Sequence, residues 1–236
     1  MFSFMKRIFI AIMMFLNLFA GHCAKPADWA DKARYAAAND ALSQIEDSSR
    51  VVMMGNSITE YWEEMHPGFF TANHLVCRGI SGQVSSQMLA RFRQDVINLN
   101  PRVVVINCGT NDIAENNGPY DEDITMDNIM SMAELALSHG IRVVLSSVLP
   151  ADGFVWNPNV RDAPVKIMHL NERIKAYCVE EKLPYIDYYS WMTADGSSMI
   201  KAYTEDGVHP CAAGYDVMEV RLLEMLNQLN TYYNNL

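Results

Sequence analysis

The chain has 236 residues, half of them apolar and 19% charged. That suits a single domain of roughly 100–250 residues and excludes disorder, collagen and coiled coil. The net charge of −10 argues against a nucleic-acid partner, which needs a basic footprint, and against electrostatic docking on anionic lipid.

Residues 1–24 have the pattern of a secretory signal. Lys6 and Arg7 form a basic start, Ile8 to Ala20 is an apolar run broken only by Asn17, and small residues follow in Gly21–Ala24. The run of thirteen lies within the about 7–15 residues of a signal's apolar region and falls short of the roughly 18 that span a bilayer. Export, periplasmic or secreted, is therefore expected, with a mature domain over residues 25–236 and no stable membrane span in it. A retained anchor, or a lipid on Cys23, is the alternative; His22 stands where lipoprotein signals place a small residue. Losing the leader removes two cations and no acid, taking the charge from −10 to −12.

Ala27 to Ile45 is Ala-rich with one polar face and predicts a helix. Arg50 to Met54 is a short apolar run ending at Gly55, as a buried strand does, and Leu75 to Cys77 before Arg78-Gly79 is another. From Ser86 to Leu99, residues Met88, Leu89, Phe92, Val96 and Leu99 recur at helical spacing until Pro101 stops the run. Arg102 to Cys108 is the strongest strand, β-branched and apolar on both faces like a central parallel strand. Then come a helix over Ile124–Ser138 stopped by His139-Gly140, a strand over Arg142–Val148, a helix from Pro164 to about Lys182, a short strand at Tyr185–Asp187 and a closing helix over Ala212–Leu229. The alternation predicts a doubly wound parallel α/β sheet. Such sheets bind ligands beyond the carboxyl ends of their strands, so function is to be sought just after each strand.

Three polar motifs fall there, and a fourth lies near the C-terminus. Gly55-Asn56-Ser57-Ile58-Thr59 follows the first strand. Serine at such a turn serves as a nucleophile if a base reaches it; alone, the motif reads equally as a helix N-cap, with Glu60 completing a capping box. Gly79-Ile80-Ser81-Gly82 follows the second strand, its glycines permitting close approach of backbone to a ligand. Gly109-Thr110-Asn111-Asp112 follows the central strand; Asn111 carries an N–H donor suited to a developing oxyanion, or simply makes an Asx turn. In Asp206-Gly207-Val208-His209-Pro210 the carboxylate can fold back onto Nδ1 of the imidazole and leave Nε2 as a base; the bland alternative is a surface turn. Each motif alone is weak, but all four fall at one edge of the predicted sheet.

In this ordered set, from about Arg50 to Tyr215, the chain resembles the SGNH hydrolases, also called the GDSL esterase and lipase family, and within them the small secreted bacterial members similar to platelet-activating-factor acetylhydrolase and carbohydrate acetylesterases. The resemblance implies a flavodoxin-like three-layer α/β/α sandwich with a five-stranded parallel sheet. It implies Ser57 as nucleophile, His209 as general base and then acid, Asp206 as the group orienting His209, and an oxyanion hole made by the N–H groups of Ser57 and Gly82 and the side-chain amide of Asn111. No metal or organic cofactor is implied. One departure is Asn56, where the family usually has Asp.

The expected activity is hydrolysis of short acyl esters, acetyl foremost, on carbohydrate. A thioesterase or lysophospholipase of the same family, or a non-catalytic carbohydrate-binding relative, is the alternative. Phe154, Trp156 and Arg161, on the segment after the fourth strand, are candidate substrate-binding residues. Cys77, Cys108, Cys178 and Cys211 have no metal-like spacing and read as free thiols, with one bridge the alternative. The other five histidines, His22, His66, His74, His139 and His169, lack an acidic partner at catalytic or metal-like spacing and read as surface or capping residues; the sixteen methionines read as core filler.

Overall fold

Strand β1 (Val51–Gly55) pairs in parallel with β2 (Leu75–Gly79) on one side and β3 (Val103–Ile106) on the other. Beyond β3 lie β4 (Arg142–Ser146) and the two-residue β5 (Tyr185–Ile186), so the order is β2-β1-β3-β4-β5. The chain moves outward from β1 to β2 and then returns to β3. The strand order therefore reverses between β1 and β3, and their carboxyl ends open the crevice where α/β sheets bind ligands. The computed structural model describes residues 28–234; the signal-like leader and Cys23 lie outside the described residues. No helix among the described residues is long and apolar enough to cross a membrane.

The sheet is buried on both faces because β1, β3 and the middle of β4, Val143–Leu145, are apolar on both sides. Val52, Met54, Val104, Ile106, Val143 and Leu145 point to one face, where α4 (Ser85–Asp95), α6 (Glu122–Ser138) and α7 (Ala163–Glu180) cover them with Met88, Phe92, Ile129 and Ile167. The alternate residues Val51, Met53, Val103, Val105 and Val144 meet α2 (Ser57–Met65), α3 (Pro67–Ala72), α8 (Tyr188–Met192) and α9 (Ala212–Asn234). This is the three-layer α/β/α sandwich. Trp62 of α2 anchors the second face, stacked on Tyr215 at 5.7 Å and on Phe69 at 5.9 Å, with Phe70 edge-on at 5.8 Å. Tyr215 also donates its hydroxyl to the Ile58 carbonyl at 2.9 Å, fixing the first turn of α2 against α9.

Several elements depart from expectation. The first helix, α1, covers only Ala36–Ser43, because carbonyls upstream of it have other partners. Gln87, Gln83 and Gln94 donate to the carbonyls of Trp29, Ala30 and Lys32, and Asp31 turns the chain with φ 50°. The helix expected to reach Leu99 ends at Asp95 and continues as a 3₁₀ turn over Ile97–Leu99, closed by Asn100 at φ 45°. Helices α3 and α8 were not expected; Pro67 opens the first, where a missing N–H costs nothing. The four cysteines among the described residues are free: Cys77, Cys108 and Cys178 are buried and Cys211 half-buried. Burial pushes the Cys77 and Cys178 thiols up to about 12, away from thiolate chemistry. His66 does have acidic partners, brought by α9: its Nδ1 lies 2.6 Å from Glu219, which also accepts from Trp62 Nε1 at 3.2 Å.

Beneath the crevice lies a fully buried guanidinium. Arg91 donates to Asp95 Oδ2 at 2.8 Å, to Gln83 Oε1 at 2.6 Å, and to the carbonyls of Gly55 at 3.0 Å and Arg78 at 2.9 Å. It thus holds together the ends of β1 and β2 and the loop after β2. Asp95 takes a further bond from Asn39 at 2.6 Å, so the pair is satisfied all round. Removing one partner strands a buried charge. Arg91→Met is expected to lower the unfolding free energy by about 3–5 kcal/mol, read by urea denaturation.

Candidate active site

Ser57 is the first residue of α2 and follows Asn56, which caps that helix by accepting the Ile58 N–H at 3.1 Å. The capping-box reading of Glu60 does not hold. Glu60 turns away and accepts the N–H and hydroxyl of Ser81, tying α2 to the loop after β2, while also pairing with Arg34. The two pieces approach closely because Gly79 has no side chain: a Cβ there would lie 2.3 Å from the Glu60 nitrogen. This glycine admits protein backbone, not a ligand. Asn56 is fully buried and its Nδ2 has no partner; the charge that Asp would carry is absent, but the cap survives.

The segment 204–210 brings the imidazole. Asp206 Oδ1 accepts the N–H groups of Val208 at 2.9 Å and His209 at 2.8 Å, while Thr204 takes the Gly207 N–H at 3.0 Å and donates to the His209 carbonyl at 2.7 Å. The same turn occurs eleven residues earlier. There Asp195 accepts from Ser197 and Ser198 N–H, and Thr193 takes the Gly196 N–H and donates to the Ser198 carbonyl. Both turns close with an antiparallel bridge, Thr193 to Met199 and Thr204 to Pro210. The Thr-x-Asp-Gly sequence therefore builds the loop, and His209 stands where the first copy has Ser198.

The free oxygen of Asp206, Oδ2, lies 2.7 Å from His209 Nδ1, and His209 Nε2 lies 2.9 Å from Ser57 Oγ. Burial pushes the Asp206 carboxyl up, but the bonds from the His209 ring and from the two backbone N–H groups outweigh it and hold the carboxyl below its ordinary value. The order carboxylate, imidazole, hydroxyl allows a proton to leave the serine oxygen and a positive imidazole to be held.

On the other side of Ser57 stand N–H groups. The Ser57 amide, at N1 of α2, has no acceptor within its helix. Gly82 sits at φ 78°, a conformation that glycine takes without strain, and among the described residues its N–H makes no hydrogen bond to protein. Asn111, on the one-turn helix α5 (Thr110–Ile113), donates one Nδ2 hydrogen to the Gln83 carbonyl at 3.0 Å and keeps the second for the cleft. The side chain of Asp112, next to it, does not line the cleft. Its carboxylate caps α4, taking the Ser85 N–H at 3.0 Å and the Ser85 hydroxyl, and burial pushes it above the ordinary carboxylate value.

Ser57, Tyr61, Ser81, Gly82, Asn111, Asn116, Trp156 and His209 line one open cleft of about 200 Å³. A second hollow of about 260 Å³, walled by Tyr61, Met65, Glu205 and Cys211, meets it at His209. Of the three residues expected to bind substrate, only Trp156 is in the cleft, its ring 5.9 Å from that of His209. Phe154 is buried and packs against Trp156 at 5.4 Å; its alternation along the segment turns it into the core. Arg161 is exposed and outside both hollows.

This constellation sits on a fold and a sequence that other proteins share. The model of the GDSL-like lipase/acylhydrolase family matches residues 53–217. The chain belongs to that family. A GDSL-like lipase from Bacteroides thetaiotaomicron is 51% identical over 85% of this chain and 98% of its own, with a TM-score of 0.83. A Bacteroides fragilis protein is also 51% identical, over the same shares, with a TM-score of 0.82. An acetylxylan esterase from Geobacillus stearothermophilus, 18% identical over 77% of this chain and 95% of its own with a TM-score of 0.58, shares the fold alone. No curated protein matches in sequence.

Two cleft residues of this GDSL-family chain escaped the sequence reading. Tyr61 was legible, being four residues after Ser57 on the same helical face; its ring lies 5.4 Å from that of His209. Asn116 was not, since Asn116-Asn117-Gly118 reads as an ordinary turn. Asn111→Ala is expected to lower kcat by about 10²–10³-fold with little change in KM, the effect of one lost oxyanion donor, measured on p-nitrophenyl acetate.

Proposed function

We propose that this acylhydrolase-family protein is an exported serine esterase that removes short acyl groups, acetyl foremost, from carbohydrates or other polar alcohols. The observation that carries the reading is the run Asp206–His209–Ser57 at 2.7 and 2.9 Å, opening on the cleft lined by Asn111 and Gly82. Ser57 Oγ adds to the ester carbonyl as its proton passes to His209 Nε2. The oxyanion takes N–H bonds from Ser57, Gly82 and Asn111. The imidazolium, steadied by Asp206, then gives its proton to the departing alcohol, and water repeats the sequence on the acyl-enzyme.

The small, open cleft of about 200 Å³ supports a short acyl group. The rings of Tyr61 and Trp156 flank His209, on the path the alcohol leaves by, and suit the apolar face of a sugar. The leader pattern over residues 1–24 supports export. The experiment is ester hydrolysis across a series from acetyl to palmitoyl, together with acetate release from acetylated xylan, pectin and sialic acid. A maximum kcat/KM at acetyl, with acetate released from a glycan, supports the reading. A maximum at long acyl chains makes the protein a lysophospholipase or thioesterase. No turnover and no labelling of Ser57 by a fluorophosphonate leave a binding protein.

A further inference from the structure

Asn111 is a carboxamide, and a carboxamide can present either its N–H or its carbonyl to the cleft. Only the N–H stabilises an oxyanion; the carbonyl would repel it. Something must therefore choose the orientation. Asn116 Nδ2 lies 3.0 Å from Asn111 Oδ1, and Asn116 Oδ1 lies 2.8 Å from Trp156 Nε1. Asn111 Nδ2 lies 3.0 Å from the Gln83 carbonyl. The four groups form one relay: Trp156 to Asn116 to Asn111 to Gln83.

The ends of the relay are chemically one-sided. An indole N–H only donates and a backbone carbonyl only accepts, whereas each carboxamide between them can turn over. Trp156 forces the oxygen of Asn116 toward itself and hence the nitrogen of Asn116 toward Asn111. That nitrogen in turn meets the oxygen of Asn111, leaving the nitrogen of Asn111 for Gln83 and the cleft. Gln83 imposes the same direction from the far end, and its own side chain is held by Arg91 at 2.6 Å and by the Ala30 carbonyl at 2.7 Å. The bond received at Oδ1 also polarises the Asn111 amide and strengthens its remaining N–H as a donor.

We propose that Trp156 and Asn116 are positioning residues that set the polarity of the oxyanion-binding amide of Asn111. This rests on the reading of Asn111 as an oxyanion donor. A tryptophan at the mouth of the cleft, with 42% of its surface exposed, thereby acts on charge stabilisation deeper in, in addition to walling the site.

The test is a mutant cycle on p-nitrophenyl acetate with Trp156→Phe, Asn116→Ala, Asn111→Ala and the double variants. Trp156→Phe keeps a ring against His209 and Phe154 and removes only the donor. It is expected to lower kcat by about three- to tenfold, the size of one neutral hydrogen bond, with KM within about twofold. Asn116→Ala is expected to lower kcat by about tenfold in the wild-type background and to have no further effect once Asn111 is Ala. Trp156→Phe is likewise expected to add nothing to Asn116→Ala. An unchanged kcat in Trp156→Phe, a change confined to KM, or an Asn116→Ala loss that persists in the Asn111→Ala background would each overturn the proposal. The persisting loss would mean that Asn116 merely holds the Gly82 loop, which it touches at 3.3 Å. Failure of the underlying reading looks different: Asn111→Ala would then keep the wild-type kcat, and were the serine mechanism itself wrong, Ser57→Ala would keep it too.

Discussion

Ser57→Ala is expected to lower kcat for ester hydrolysis by about 10⁴-fold or more, leaving only the rate that binding and the N–H donors supply. Under the proposed mechanism the Ser57 hydroxyl attacks the ester carbonyl. It lies 2.9 Å from His209 Nε2, and the carboxylate behind the imidazole, at 2.7 Å, stabilises the charge that the transferred proton creates. His209→Ala should lose as much, and the double variant little more, because the two residues act as a unit. The variant proteins should fold: Ser57 contributes an oxygen to α2, whereas α2 itself is held by the Trp62 cluster and the Tyr215 bond. Single-turnover acetate release, with circular dichroism beside it, separates the outcomes. An undiminished rate in Ser57→Ala would overturn the proposed mechanism.

Asp206→Asn should cost about 10⁴-fold in kcat while leaving the loop standing. The two oxygens of Asp206 have separate duties. Oδ1 builds the turn by accepting the N–H groups of Val208 and His209, and the carbonyl of Asn can do the same. Oδ2 faces His209 Nδ1. In the variant that place is taken by an NH₂ group, which only donates. Nδ1 must then accept, the ring proton moves to Nε2, and the imidazole can no longer take a proton from Ser57. Stability carries an independent signature. The folded carboxyl titrates below its unfolded value, so its contribution is full above the ordinary carboxylate range and is lost as pH falls through the folded value. The stability gap between wild type and Asp206→Asn should therefore narrow as pH is lowered below about 5 and go on narrowing through the ordinary carboxylate range, in chemical denaturation. A gap that widened on acidification would contradict the assignment.

Fold and site were legible in the sequence to different degrees. Where all residues of a run are apolar, as in Val103–Ile106, both faces of a strand must be covered, and this announces a parallel sheet in a three-layer sandwich. The ends of those runs located Ser57, Gly82 and Asn111, because a turn after a buried strand must carry its polar residues to the edge, and the Asp-Gly-Val-His spacing located the 204–210 loop. Local pattern was weaker where partners come from afar. Residues 29–35 look helical, but Gln83 and two glutamines of α4, Gln87 and Gln94, donate to the Ala30, Trp29 and Lys32 carbonyls. Phe154 and Arg161 look like a binding wall, yet only the direction of each side chain at its place in the loop decides what it touches.

Local stretches of sequence dictate the parallel strands of the sheet and the self-contained Thr-x-Asp-Gly turn that joins Asp206 to His209, since each depends on residues close together in the chain. Tertiary structure alone decided that Ser57 and His209 meet across 152 positions, that Glu60 and Asp112 serve the loop and helix after β2 rather than their own turns, and that Arg91 lies beneath the crevice. It also decided that Asn116 stands between Trp156 and Asn111. A hydrogen bond needs a donor and an acceptor within about 3 Å, and between residues far apart in the chain that distance is set by packing, which no local pattern of residues records.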